Sequence, residues 1–167
     1  MHIGSCTDLE HLAHVCGAMQ NACEQFVRNI KTISAGGGLP TPYKEDQNYV
    51  DLDAYFELWD AARNRLAEKF GHAISLEIEP GRYLSAEAGY LLTAIRAIKE
   101  MGEHTFYLVD AGFNTLARPI LYGSYHPMSL APRDGSDAAR NKQSVVVGGP
   151  LCESGDIFTQ EEGGFVS

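Results

Sequence analysis

Apolar residues in the first half of the chain alternate between two periods. From Thr7 to Phe26, Leu9, Leu12, Cys16, Met19, Cys23 and Phe26 recur at helical spacing. Thr7 and Glu10 have the spacing of a capping box at the start of this helix. NIKTISA follows as a short β-branched run and stops at GGGLP, the pattern of a strand entering a loop. A second helix is predicted over VDLDAYFELWDAARNRLAEKFG. Phe56, Trp59, Ala62, Leu66 and Phe70 form its apolar side, and Gly71 is the stop. AISLEIEPGR is a second strand ending in Pro-Gly. Helix and strand alternate in this way in α/β folds with a parallel sheet, where sites collect at the ends of strands.

Beyond Arg82 the rhythm changes. SAEAGYLLTAIRAIKEMG fits a helix, yet its isoleucines also suit a strand. HTFYLVDAG and SVVVGG read as strands, no further helix is convincing, and turn residues are dense from Gly112 onward. The pattern alone suggests an α/β architecture with a parallel sheet over the first 85 residues and an antiparallel β domain after them. HIGS, a loop with no strand before it, suggests that the chain begins inside a βα unit.

Composition narrows the function classes. The chain has 167 residues, 44% of them hydrophobic, enough for one domain with a core or for pieces of two. A net charge of −9 argues against a nucleic-acid partner, because phosphate backbones recruit Lys and Arg. No apolar run reaches the roughly 18 residues of a membrane span, and no secretory leader is visible in MHIGSCTDLE. The four cysteines, Cys6, Cys16, Cys23 and Cys152, form no CxxC pair. Cys16 and Cys23 share a helix face and read as small core residues. A reduced, cytoplasmic protein is the simplest expectation. No histidine spacing suits a metal: His11 and His14 are on one helix face but lack a third partner.

Several short stretches carry candidate chemistry. Gly36, Gly37 and Gly38 lie between a strand and a helix, where backbone N–H groups can approach an anion. Alone they read more readily as a flexible turn. Glu79, Pro80, Gly81 and Arg82 put an acid and a base in one turn at a strand end, suited to a protonated ring nitrogen and an anion, or to a surface salt bridge. Glu77 and Glu79 point the same way if the strand is regular. His2, next to Gly4 and Ser5, offers a ring-stacking or anion-binding corner, though a lone histidine is more often solvated. Arg118 and Tyr122 in RPILYGSYH offer a fork for a carboxylate with phenols beside it. Cys152 and Glu153 in LCESGD pair a thiol with a carboxylate, a proton donor with a cation reader, or else a buried structural cysteine.

Taken in order, HIGS, GGGLP, EPGR, DAGFN, RPILYGSYH and GGPLCESGD resemble the diaminopimelate decarboxylase family over essentially the whole chain. The resemblance implies a pyridoxal 5'-phosphate enzyme with an alanine-racemase-type barrel and a β domain, this chain holding a partial TIM-type α/β barrel, its C-terminal third, over residues 1–85 and the start of the antiparallel β domain over 86–167. It implies that His2 stacks on the pyridine ring and that Glu79 pairs with the ring nitrogen. Ser5, Gly36, Gly37, Gly38 and backbone groups of Glu79, Pro80, Gly81 and Arg82 hold the phosphate. Arg82, Arg118, Tyr122 and Glu153 bind substrate, and Cys152 donates the proton after loss of CO₂, reaching its site from the partner subunit of a homodimer. The reaction implied is meso-2,6-diaminoheptanedioate to L-lysine and CO₂. An ornithine or arginine decarboxylase is the alternative, disfavoured by Glu153, Arg118 and Tyr122. The family carries its cofactor on a lysine of an early barrel strand. The lysines here, Lys31, Lys44, Lys69, Lys99 and Lys142, read as lying in helices or loops away from any such motif. The chain alone is therefore expected to be inactive, a cofactor-binding or dimer-forming piece of the enzyme.

Overall fold

The computed structural model describes residue 2 and residues 8–26, 30–44, 46–136 and 144–159. Two compact units divide it, Met1–Tyr90 and Leu91–Ser167.

The first unit is α/β. Helix α1 spans Leu9–Gln25 and α2 spans Leu52–Phe70. Thr7 lies outside the described residues; the observed cap is Asp8, whose carboxylate accepts the His11 N–H at 2.9 Å. Asp51 does the same for α2, accepting from Ala54 N–H at 3.0 Å. A carboxylate at this position satisfies an orphan N–H and meets the positive end of the helix dipole. Gly71 ends α2 at φ 74°, the left-handed conformation that favours glycine. Leu12, Cys16 and Cys23 of α1 pack with Tyr55, Trp59, Ala62 and Leu66 of α2, both cysteines buried as expected. Phe26 and Phe56, assigned to the apolar faces from spacing, are instead mostly exposed. Phe26 is the cap residue beyond the last turn of α1. Tyr55, one residue earlier, takes the buried position on α2.

Strands β1, Thr32–Ser34, and β2, Ser75–Glu77, run parallel, with Ile33 opposite Leu76. Ile33, Ala35, Leu39 and Ile74 lie in the same core cluster as the two helices. An isolated parallel bridge joins His2 to Gly37. The stretch EPGR does not form a simple turn: Pro80 caps a single-turn helix, α3, over Gly81–Ser85.

The second unit is built on a three-stranded sheet in the order β3-β4-β5, with β3 Ile95–Met101, β4 His104–Val109 and β5 Val146–Gly148. The ambiguous TAIRAIK stretch is therefore strand, and Lys99 lies on a strand rather than in a helix or loop. An all-antiparallel sheet was expected. The sheet is mixed: β3 and β4 are antiparallel, while β4 and β5 are parallel. The long connection from residue 110 to 145 lets the chain return in the same direction. That connection also contains a helix the periodicity did not predict, α4 at Arg118–Tyr122, too short for an apolar repeat to register. Among the described residues its buried cluster is Val109, Ala111 and Phe158, with Leu116 and Val147 against them, and Val146 is buried as well.

Candidate functional site

Two constellations emerge, one in each unit. In the first, the glycine loop is a built feature. Gly36 and Gly38 have φ of 72° and 107°, a region that L side chains rarely adopt. A Cβ on Gly37 would overlap the His2 ring, approaching Nε2 to 3.1 Å, and would lie 3.4 Å from the Glu79 carbonyl oxygen. Glycine at this position lets the His2 ring and the Glu79 backbone close in together. Strand β2 ends at Glu77, and Glu77 and Glu79 are both exposed. Backbone bonds continue the pairing: Ala35 N–H donates to the Glu77 carbonyl at 2.8 Å and Glu79 N–H to the Gly36 carbonyl at 3.0 Å. Glu79 is exposed, and its Oε1 accepts the Ser34 hydroxyl at 3.0 Å. The Gly36 N–H donates to Ser34 Oγ at 3.0 Å, so this donor is engaged inside the protein. Arg82 is half-buried in α3. Its neighbour Tyr83 meets the Tyr49 ring edge-on at 6.5 Å, and the Tyr49 hydroxyl donates to Glu87. Ser5 lies outside the described residues.

In the second unit, the thiol–carboxylate turn sits against the helix that carries Arg118 and Tyr122. A Cβ on Gly155 would overlap Ile120 of α4, at 2.7 Å from Cδ1 and 2.9 Å from Cγ1. The side chains of Arg118 and Tyr122 meet, the guanidinium carbon 5.6 Å from the ring centroid, a cation–π distance. Arg118 also donates to Ser124 Oγ at 3.0 Å. Cys152 and Glu153 are both exposed. Cys152 is thus not a buried structural cysteine. Glu153 Oε1 accepts Ser154 Oγ–H at 3.1 Å.

Asp156 does something different from the other carboxylates. Only 4% exposed, it accepts Phe113 N–H at 2.6 Å and Leu151 N–H at 2.8 Å. Its own N–H donates to the Glu153 carbonyl at 3.0 Å, and its carbonyl accepts Gly149 N–H at 2.8 Å. A Cβ on Gly149 would lie 2.6 Å from the Asp156 carboxyl carbon. This buried carboxylate therefore staples DAGFN to the LCESGD turn and fixes the residues on both sides of Cys152 and Glu153. Ser34 and Asp156 were both missed by motif reading, since each acts through another residue. The signal for Asp156 was the density of glycine around it, the room a buried carboxylate needs to meet backbone donors.

Among the described residues, no group of three or more His, Cys, Asp or Glu is arranged to hold a metal, and no helix is long and apolar enough to cross a membrane. Lys31 precedes β1, Lys44 lies in a loop, Lys69 at the end of α2 pairs with Glu24 at 2.9 Å, and Lys142 lies outside the described residues.

The family described as pyridoxal-dependent decarboxylase, C-terminal sheet domain, matches residues 8–163. This chain belongs to that family. It is 52% identical to the diaminopimelate decarboxylase of Escherichia coli K12 over 99% of its own length and 40% of the relative's. A crystal structure of diaminopimelate decarboxylase superposes with a TM-score of 0.94 at 51% identity, covering 100% of this chain and 40% of that one. A second, the M. jannaschii diaminopimelate decarboxylase in co-complex with L-lysine, gives 0.75 at 28% identity, covering 96% of this chain and 36% of the other. The chain thus spans about two-fifths of the length of such relatives. The residues present fit a pyridoxal phosphate in part. A left-handed glycine loop, an imidazole ring and a carboxylate, groups of the kinds such a cofactor needs, come together at Gly36, Gly37, Gly38, His2 and Glu79, whereas no described lysine lies within that constellation.

Proposed function

We propose that this segment serves a pyridoxal-phosphate-dependent decarboxylase that converts meso-2,6-diaminoheptanedioate to L-lysine and CO₂. The observation that carries the reading is likeness in sequence and backbone to diaminopimelate decarboxylase across both units. The first unit is the closing part of a (β/α)8 barrel spanning about residues 1–85, which gives its two parallel strands further neighbours. The rest opens the C-terminal β domain.

The cofactor, when bound, supplies the electron sink for decarboxylation. His2 would hold its ring and Glu79 would serve the ring nitrogen, since a neighbouring carboxylate favours the protonated form of a cation. Ser5, Gly36, Gly37 and Gly38 serve the phosphate with backbone groups of Pro80, Gly81 and Arg82. Because Gly36 N–H is engaged by Ser34, its part is the left-handed turn rather than donation to the anion. The substrate bears an amino-acid group at each end. Arg82, Arg118 and Tyr122 read its carboxylates, and Glu153 reads the distal ammonium. The bond between the reacting carbon and its carboxylate breaks, CO₂ leaves, and the Cys152 Sγ–H delivers the proton that completes the new C–H bond. Cys152 serves the partner's site in a homodimer, and the protein works in the cytoplasm. The chain by itself makes no lysine, because the lysine that carries the cofactor lies in the rest of the enzyme.

The test replaces the matching two-fifths of the E. coli enzyme with this chain and offers the chimera diaminopimelate, ornithine and arginine. Lysine and CO₂ from diaminopimelate alone is the expected result. Turnover of ornithine or arginine instead, or none by a folded chimera that has bound its cofactor, would overturn the assignment.

A further inference from the structure

The glycine loop and Glu79 are joined by one side chain. Ser34, half-buried, is the last residue of β1. Its hydroxyl donates its single proton to Glu79 Oε1 and accepts Gly36 N–H, each at 3.0 Å. Both ends of this relay stand on fixed backbone, because Ala35 N–H binds the Glu77 carbonyl and Glu79 N–H binds the Gly36 carbonyl. An exposed glutamate otherwise samples many rotamers, and holding one costs entropy that a bond from a positioned donor offsets. Ser34 engages Oε1 and leaves Oε2 able to accept a donor from a ligand. The same oxygen steadies the left-handed Gly36, whose φ is 72°.

We infer that Ser34 is a positioning residue for the cofactor: its hydroxyl aims the Glu79 carboxylate at the ring nitrogen and ties that carboxylate to the phosphate loop. One hydroxyl thereby sets the spacing between the two ends of a phosphorylated pyridine. The inference rests on the reading of Glu79 as the ring partner.

The experiment uses the full-length decarboxylase carrying this segment, stripped of cofactor and titrated with pyridoxal phosphate by its visible absorption. Ser34→Ala is expected to weaken binding about ten-fold, the size of one hydrogen bond to a charged group. It also moves the pH titration of the bound cofactor's absorption band to lower pH, since a carboxylate no longer aimed at the ring holds the nitrogen's proton less firmly. Ser34→Thr keeps a hydroxyl at a strand position that tolerates β-branching and restores both. Glu79→Gln separates the two levels of the argument. If Glu79→Gln shifts affinity and titration but Ser34→Ala shifts neither, Ser34 has no such role and the reading of Glu79 stands. If Glu79→Gln leaves both unchanged, the reading of Glu79 falls and the Ser34 inference with it. A loss in Ser34→Ala that Ser34→Thr fails to restore also overturns the inference, because the hydroxyl would not be the cause.

Discussion

The two units hold their candidate residues in place by opposite means. In the first, two long helices bury Trp59 and Leu66 to 2% and 1% exposure against Ile33, Ala35 and Leu39, and the loops after the strands rest on that apolar core. In the second, the buried cluster among the described residues is Val109, Ala111 and Phe158 with two partly buried neighbours, and the loop bearing Cys152 and Glu153 is fixed by the Asp156 carboxylate. Apolar packing tolerates substitution in proportion to the volume lost. A polar staple fails whole, because removing the acceptor leaves two part-buried donors without that partner.

The largest effect should follow from breaking that staple. Asp156→Ala strands the Phe113 and Leu151 N–H groups at a cost of roughly 2–6 kcal/mol locally, from about 1–3 kcal/mol for each unsatisfied donor. Hydrogen exchange should show those two amides opening at least about 30-fold faster, since every 1.4 kcal/mol is about ten-fold. Unchanged protection would show that the loop is held by packing after all, and the contrast between the units would collapse. Trp59→Ala should cost about 3–5 kcal/mol by cavity formation, read as faster exchange along α1 and α2. Gly149→Ala pushes a methyl into the Asp156 carboxyl group, and overpacking of this kind costs about 1–3 kcal/mol. It should accelerate exchange at Leu151 less than Asp156→Ala does.

A smaller effect separates the cysteines. Burial pushes the Cys16 thiol up to about 11, against a weaker lowering by Arg65. Its folded value lies above its unfolded one, so the thiol is protonated and its contribution intact at neutral pH, and that contribution is lost as pH rises from the unfolded value of 9.0 through about 11. Iodoacetamide at neutral pH should therefore alkylate exposed Cys152 well before Cys16, judged by peptide mass. Equal rates would mean that the first core opens as readily as the second loop. The smallest effect concerns Asp110, whose carboxyl lies below the usual range because Ala94 N–H and then the Thr93 hydroxyl donate to it. A depressed carboxyl stabilises the fold above its unfolded value and loses that contribution as pH falls through the folded one. Protection of the Ala94 amide should accordingly fall on acidification, and Asp110→Asn should flatten that dependence.

Much of the first unit was legible in the chain, because long helices repeat their apolar residues often enough to be read. The errors fell at the edges of those repeats. Phe26 lies one step past the helix end, and Phe56 has periodic spacing but loses the buried face to Tyr55. The second unit was less legible. Strands of three to seven residues carry few periods. The direction of β5 depends on how a long connection returns, which no local pattern records. The motif residues were visible because each is an unusual side chain in a turn. The residues that hold them were not, because a serine at a strand end and an aspartate among glycines are common in any sequence.

The amino-acid order by itself determined the two long helices, the strand-loop junctions and the chemical types at hand: a glycine loop, an acid beside a base, an arginine with phenols, a thiol beside a carboxylate. These follow from local periodicity and from backbone freedom that only glycine has. The tertiary structure alone decided which partners those groups meet. It paired Ser34 with Glu79 across 45 residues and Asp156 with Phe113 across 43. Hydrogen bonds between segments so distant in the chain depend on where folding brings the backbone, and no spacing along the sequence encodes that distance.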